Sequence, residues 1–317
     1  MTRVLVVGGA GYIGGAVTEQ LLERGLPFTV YDSLIYEPHY LKEVDFVRGD
    51  VRDTEKLKPL LERSSHVIWL AAIVGDGACE VNPALTVEVN QKAVEWPAAN
   101  FRGRIVFAST CSVYGQHDAE MTEESAVQPL SLYAKTKLQA EGYLQAENSL
   151  ILRLGTAFGV SDTYSRPRMD LVANYMTANA LTKGELCVYG GTQWRPLIHV
   201  KDIAQAIVHN LERPVRGVYN LASVNLQIKD LASIVARLTN CRVCHTEQKF
   251  QDPRNYHVST SKALRDAIFN PHTVRTVEDG VREITKLVAL GRIKQTENDI
   301  YFNVRHVGNL KAYGQLA

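Results

Sequence analysis

The run Val4-Leu5-Val6-Val7-Gly8-Gly9-Ala10-Gly11-Tyr12-Ile13-Gly14 constrains the fold of this chain more than any other stretch. Four apolar residues read as a short buried strand and lead straight into clustered glycines. Ala16, Val17, Leu21 and Leu22 then recur at helical spacing. Strand, tight turn and helix follow without a linker. Gly9-x-Gly11-x-x-Gly14 fits the dinucleotide fingerprint, and Gly8, Gly11 and Gly14 also stand three apart. One glycine permits the tight turn, one lets backbone approach a pyrophosphate, and one lets helix pack closely on strand. The helix N-terminus, with free N–H groups and the positive end of its dipole, then receives the phosphates.

A second strand, Phe28-Thr29-Val30-Tyr31-Asp32, ends in a carboxylate at the distance where such folds hold the ribose hydroxyls. Asp32 favours NAD over NADP. A 2′-phosphate would meet a carboxylate, and Ser33 and Leu34 offer no arginine to receive it. Gly8, Gly11, Tyr12, Ile13, Gly14 and Asp32 are therefore candidate cofactor contacts.

Further strands read at 45–51, 66–72, 104–110 and 150–154, with helical patterns at roughly 14–25, 53–63, 83–100 and 131–147. Alternation of this length predicts an α/β fold with a doubly wound parallel sheet. Ligands of such sheets sit at the carboxyl ends of the strands. The pattern loosens after about residue 160. The expected division is a cofactor domain over 1–160 and a smaller, mixed substrate lobe over 161–317, with a late strand at 217–223 returning to the sheet.

At 317 residues, the chain is long enough for one large or two modest domains. A net charge of +1 gives no electrostatic case for nucleic acid or a membrane surface, and no apolar run reaches membrane-span length. With no cleavable leader read at the N-terminus, the expectation is a cytoplasmic protein. The five cysteines fit a reducing compartment. Cys241-Arg-Val-Cys244-His245 matches a haem-attachment pattern by letter, but it reads as a strand. Alternation would put Cys241 and Cys244 on opposite faces, where they neither share a ligand nor bond easily.

The chemistry lies in Ser131-Leu132-Tyr133-Ala134-Lys135-Thr136-Lys137. Tyr133 and Lys137 are four apart on a helix and share one face. An ammonium beside a phenol favours the phenolate and lowers its pKa, which makes Tyr133 a general base towards a substrate hydroxyl. Thr110, at the end of the fifth strand, can hydrogen-bond the same oxygen. A non-enzymatic dinucleotide-binding protein would have no need to keep both Tyr133 and Lys137. His199, in an apolar run, reads as structural, and Trp69 and Trp96 as core. Trp194 faces either core or substrate.

These motifs resemble an extended short-chain dehydrogenase/reductase acting on nucleotide sugars, the group that contains UDP-galactose 4-epimerase. The resemblance rests on Gly8 to Gly14, Asp32, Gly49-Asp50-Val51, Leu70-Ala71-Ala72 and Ser109-Thr110-x-Ser112-Val113-Tyr114-Gly115. It continues in Tyr133-x-x-x-Lys137, Gly191-Thr192-x-x-Arg195-x-x-Ile198-His199-Val200-x-Asp202 and Asp252-Pro253-Arg254-x-Tyr256. It implies that Asp50 and Val51 lie by the adenine, that Leu70, Ala71 and Ala72 line the cofactor, and that Lys137 holds the nicotinamide ribose. Ser112, Thr156, Asn174, Arg195 and Arg254 are the implied substrate contacts beside Thr110 and Tyr133, with the two arginines on the diphosphate and nucleoside. A homodimer through helices up to and including the Tyr133 helix is implied as well.

The departures narrow the chemistry. Related 4,6-dehydratases carry an aspartate and a glutamate after the threonine, and the decarboxylases keep the glutamate; here Cys111 and Ser112 stand there. Dehydration and decarboxylation are therefore disfavoured. Thr156 replaces the asparagine of many 4-epimerases, and Arg166-Pro-Arg168-Met169-Asp170 is similar to a subgroup with nucleotide-heptose C4-dehydrogenases. The expected activity is NAD-dependent oxidation at C4 of a nucleotide-diphosphate sugar, leading to 4-epimerisation. A C4 dehydrogenase or 4-keto reductase without epimerisation is the alternative. The tail at 291–317 carries no motif.

Overall fold

Val4–Val7 forms strand β1 with every side chain fully buried, and the glycine turn carries it into helix α1 (Tyr12–Glu23). A computed structural model describes residues 2–144, 148–246 and 254–316. Next come β2 (Phe28–Asp32), β3 (Asp45–Arg48), α2 (Thr54–Glu62) and β4 (His66–Trp69). The stretch expected as one helix over 83–100 is divided. A short α3 (Asp76–Val81) precedes it, and Asn82 accepts a hydrogen bond from Leu85 N to start α4 (Pro83–Val87). A π turn at Glu88–Lys92 then leads into α5 (Ala93–Asn100), which contains Pro97. Beyond β5 (Arg104–Thr110) and β6 (Gln116–Met121) lies α6 (Leu132–Tyr143), started by Ser131 Oγ accepting from Ala134 N at 3.2 Å. The last residues expected in that helix, 145–147, lie outside the described residues.

The second half contributes β7 (Ser149–Leu154), β8 (Thr156–Phe158), α7 (Val172–Lys183), β9 (Glu185–Tyr189), β10 (Trp194–His199) and α8 (Val200–His209). After these come β11 (Gly217–Leu221), β12 (Val224–Gln227), α9 (Ile228–Thr239), β13 (Arg242–Thr246) and β14 (Asn255–Val258). The chain closes with α10 (Ser261–Arg265), α11 (Val277–Ala289) and α12 (Asn303–Ala312).

Seven strands pair in parallel in the order β3-β2-β1-β4-β5-β7-β11. The late strand does return to this sheet, at its edge beside β7. Both faces are covered, which is why the strand sequences are nearly continuous apolar runs rather than alternating ones. The strand order reverses between β1 and β4, and the crevice that forms at such a reversal is the ligand site of the class. The smaller sheets β12-β10-β8, β13-β9 and β14-β6 build the rest.

The five cysteines, read as fitting a reducing compartment, include one bridge. Cys244 is joined by a disulfide to Cys187, its in-register neighbour across the β9–β13 pair with Cα atoms 4.7 Å apart. The spacing of Cys241 and Cys244 says nothing of that partner; Cys79, Cys111 and Cys241 are free. The tail is ordered against the first half. Asn303 Nδ2 donates to Val74 O at 2.8 Å, His306 meets Ile35 O at 2.7 Å, and Lys311 Nζ donates to Val81 O.

One buried network locks α6 to the sheet. Arg153 on β7 donates through Nε and Nη2 to the Glu141 carboxylate, at 2.8 Å for the shorter contact, and through Nη1 to the Tyr114 hydroxyl at 3.0 Å. Tyr114 in turn donates to Asn220 Oδ1 on β11 at 2.7 Å, and Glu141 also accepts the Ser109 hydroxyl. Removing one partner of a buried ion pair leaves an uncompensated charge, at a cost of about 3–5 kcal/mol. Glu141→Ala should therefore lower the urea midpoint by that equivalent, whereas Lys92→Ala, which breaks an exposed pair, should leave it almost unmoved.

Candidate active site

The site begins where β1 and β4 end. Gly8 has a φ of +85°, and a Cβ there would stand 2.4 Å from Ala71 N. No side chain fits, so the glycine turn and the Leu70-Ala71-Ala72 loop converge backbone on backbone. A Cβ at Gly14 would meet Gly8 O at 2.5 Å, which is how α1 comes to lie against the turn. Gly11 differs: its φ of −77° is ordinary, and the one atom near its hypothetical Cβ is Gly8 O at 3.6 Å. That direction opens into a cleft of about 830 Å³, at the upper end of the range for ligand pockets.

Asp32 closes the same end. Its Oδ2 accepts from Ala10 N at 3.1 Å and its Oδ1 from Leu34 N at 2.8 Å, with Leu34 at a φ of 63°. Burial pushes this carboxyl up, and these backbone donors oppose it. Asp50, paired with Arg52 at 2.7 Å, borders the cleft together with Val51, Leu70, Ala71, Ala72, Tyr12 and Ile13. The Tyr12 hydroxyl donates to Gly159 O at 2.7 Å, tying the fingerprint to the second half. These residues suit a dinucleotide: side-chain-free backbone faces the cleft at Gly11, the start of α1 carries no side-chain cap, and a carboxylate ends β2.

Tyr133 and Thr110 border the cleft further along, with Ser112, Thr156, Arg195 and Arg254. Thr110 Oγ1 accepts from Ser112 N at 3.1 Å, and Ser112 Oγ lies 3.1 Å from the Tyr256 hydroxyl. Cys111 is turned away: its thiol donates to Arg153 O at 3.1 Å, and burial pushes it up. Arg195, 6% exposed, donates to Trp194 O at 2.8 Å and Arg254 O at 2.6 Å. Arg254 Nη1 pairs with Asp76 at 3.1 Å. Asp252 and Pro253, quoted with Arg254 in the resemblance, lie outside the described residues.

Two expectations need correction. Asn174 is not among the described residues that line the cleft. Its Oδ1 accepts from Gly159 N and its Nδ2 donates to Gly159 O and Arg168 O, so it holds the wall from behind. The Tyr133 phenol is not lowered either. Burial pushes it well above its ordinary range, Cys79 and Asp76 add to this, and Arg168 opposes it. Lys137 stands behind the cleft wall with its Nζ 4.0 Å from the centre of the Phe107 ring. Burial pushes its ammonium down to about 7, against the Glu141 carboxylate. Spacing puts both groups on one helix face, and burial disfavours charge on each.

His199 is fully buried, with Nε2 3.0 Å from Glu283 and Nδ1 accepting from Lys201 N, a structural setting. Trp69 is core, as its strand predicts, and Trp194 lies tilted against the His257 ring. Asp76, Arg168 and Tyr256 at the Tyr133 end were not singled out as site residues. Asp76 carries no motif and reaches the cleft only because the β4 loop bends there.

Comparison with known proteins bears on the family and the fold. The model of the NAD dependent epimerase/dehydratase family matches residues 4–222. A UDP-glucose 4-epimerase of Rhizobium meliloti is 30% identical over 68% of this chain and 74% of its own. A UDP-N-acetyl-alpha-D-glucosaminuronate decarboxylase of Bacillus cytotoxicus is 26% identical over 90% of each chain. The Thermus thermophilus UDP-glucose 4-epimerase, solved in complex with NAD, superposes with a TM-score of 0.75 at 25% identity, over 90% of this chain and 98% of that one. Among the described residues no helix is long and apolar enough to cross a membrane.

The difference between the glycines gives a test. Gly11→Ala should keep its melting temperature, because the new methyl meets no protein atom closer than 3.6 Å. It should lose about tenfold or more in NAD affinity, measured by calorimetry, since that methyl enters the path of the pyrophosphate. Gly8→Ala should lose both.

Proposed function

The chain belongs to the NAD-dependent epimerase/dehydratase family, and on that premise we propose that it is a nucleotide-sugar 4-epimerase acting through a transient 4-keto sugar. NAD is its cofactor. The observation that carries the reading is that Tyr133 and Thr110 line the same cleft as Arg195 and Arg254. Support against elimination chemistry comes from the two residues after Thr110. The Cys111 thiol is bound to Arg153 O and the Ser112 hydroxyl lies against Tyr256, so neither supplies an ionised acid–base group.

In this mechanism Tyr133 removes the proton of the C4 hydroxyl, and Thr110 Oγ1 donates to the same oxygen as its charge develops. NAD, held by the backbone at Gly11, by Asp32 and by the Leu70-Ala71-Ala72 loop, would supply the hydride acceptor and donor of this chemistry. Lys137, one turn along α6, holds or releases the proton that the phenol gains. Arg195 and Arg254 anchor the diphosphate while the keto sugar turns to offer its other face, a task suited to forked, permanently charged groups.

A C4 dehydrogenase or 4-keto reductase would use the same atoms and stop halfway. Incubation with NAD and candidate nucleotide sugars separates the two. Epimer formed without net NADH supports the proposal; stoichiometric NADH without epimer sinks it.

Two further outcomes are expected. Tyr133→Phe should lose about 10²–10⁴-fold in kcat, the usual worth of a general base, with NAD affinity retained. The pH profile follows from the lowered Lys137. As the proposed acceptor of the Tyr133 proton, Lys137 must be neutral, and it is charged in acid. kcat/KM should rise as pH passes upward through about 7 and then level, and Lys137→Met should abolish that inflection.

A further inference from the structure

Helix α3 opens at Asp76, directly after the β4 loop, and brings a carboxylate into the wall of the cleft that also contains Tyr133, Thr110 and Tyr256. Its Oδ2 pairs with Arg254. Its Oδ1 is shielded from solvent and has no hydrogen-bond partner among the described residues. A buried acceptor without a donor is costly and rare in a native chain. In the wall of a ligand cleft, such an atom marks where a donor arrives with the ligand.

Arg166, Arg168 and Arg254 line the same cleft. Arg168 forks onto both oxygens of Asp170, at 2.6 and 3.0 Å. Arg166 donates to Ile300 O and Asn303 Oδ1, and its Nε faces the Glu37 carboxylate at 3.8 Å. Arg254 faces Asp76. Arg168 and Arg254 each already stand beside a carboxylate, whereas Arg166 Nε has no hydrogen-bond partner among the described residues.

We infer that Asp76 accepts a hydrogen bond from a sugar hydroxyl close to the reacting carbon, and thereby restricts the substrate to nucleotide sugars without a carboxylate, hexoses as against uronates. The inference rests on the C4 reading above. A hexose offers hydroxyl donors to Oδ1. A uronate brings a second carboxylate towards Asp76, and like charges repel. Arg254 links the two ends of the ligand. The side chains of the Asp76–Arg254 pair are 32% and 33% exposed, and ion pairs of that exposure are weak. A diphosphate carrying two charges can draw Arg254 away and leave the carboxylate to the sugar. The charge of Asp76 also adds to the upward push on the Tyr133 phenol. A hydroxyl that masks it therefore eases proton removal at C4.

The test uses NAD-loaded enzyme and three probes sharing one nucleotide: the hexose, its uronate and the bare nucleoside diphosphate. The nucleotide is the one among UDP, dTDP and GDP whose hexose binds most tightly. Binding is read by calorimetry and epimer formation by NMR. The wild type should bind the uronate about tenfold or more weakly than the hexose, the scale of one charged hydrogen bond lost. In Asp76→Asn, hexose affinity should fall by about the same factor and the preference should shrink with it. The bare diphosphate should bind that variant at least as tightly, because a neutral amide no longer competes for Arg254. Equal or reversed preference in the wild type, or an unchanged preference in a folded, NAD-binding variant, overturns the assignment of Asp76 and leaves the C4 chemistry standing. A wild type that binds NAD but none of the three hexoses overturns the C4 reading, and this inference with it. The wild-type ratio needs no variant, so a misfolded Asp76→Asn leaves that arm decisive.

Discussion

The approach of backbone to backbone at Gly8 is the constraint on which the rest of the structure depends. With a Cβ excluded by Ala71 N at 2.4 Å, the ends of β1 and β4 come together at the reversal of strand order. Two consequences follow from that single contact. The turn exposes its backbone to the cleft at Gly11, where an anion can approach. The chain leaving β4 must also run along the rim, through Leu70, Ala71 and Ala72, before α3 begins at Asp76. Both the Gly11 face and the Asp76 rim of the cleft thus depend on one interaction, and a side chain at residue 8 would disturb both.

The second anchor is the Glu141–Arg153 pair with its extension through Tyr114 to Asn220. It joins α6 to β5, β7 and β11, so Tyr133 on the helix and Thr110 at the end of β5 are held in register by one network. Buried ion pairs stabilise little against an apolar replacement, and their worth lies in fixing geometry. Here the geometry fixed is the separation of a proposed base from a proposed hydrogen-bond donor, and small errors in such a separation are costly in rate.

How much of this was legible in the sequence depended on range. The glycine turn, Asp32 and the sheet strands were readable because each is a local pattern: apolar runs of strand length, a turn that only glycine makes, a carboxylate at a fixed offset. The Cys187–Cys244 bridge and the Asp76–Arg254 pair were not, because each joins segments brought together only by the folded chain. Asn174 shows a different limit. Its polarity was visible, but its direction was not, and its amide is occupied by the backbone of Gly159 and Arg168. For Tyr133 and Lys137 the spacing was right and the electrostatics were not, since a helical offset of four says nothing of the desolvation each group meets, Lys137 buried and Tyr133 in the cleft wall.

That last point bears on how such a site works. Burial favours the neutral forms of Tyr133 and Lys137, and the arginines near the sugar end stand beside carboxylates. Arg168 and Arg254 thus face a ligand already paired. In the proposed chemistry, charge enters with the ligands: a positive ring beside the phenol and a diphosphate beside Arg254. Each shifts one internal balance, the first towards a phenolate and the second towards an unpaired Asp76. In the proposed chemistry, a cleft arranged in this way becomes reactive when cofactor and nucleotide sugar are present together. That coupling lets one tyrosine of high resting pKa serve as a base only in the ternary complex.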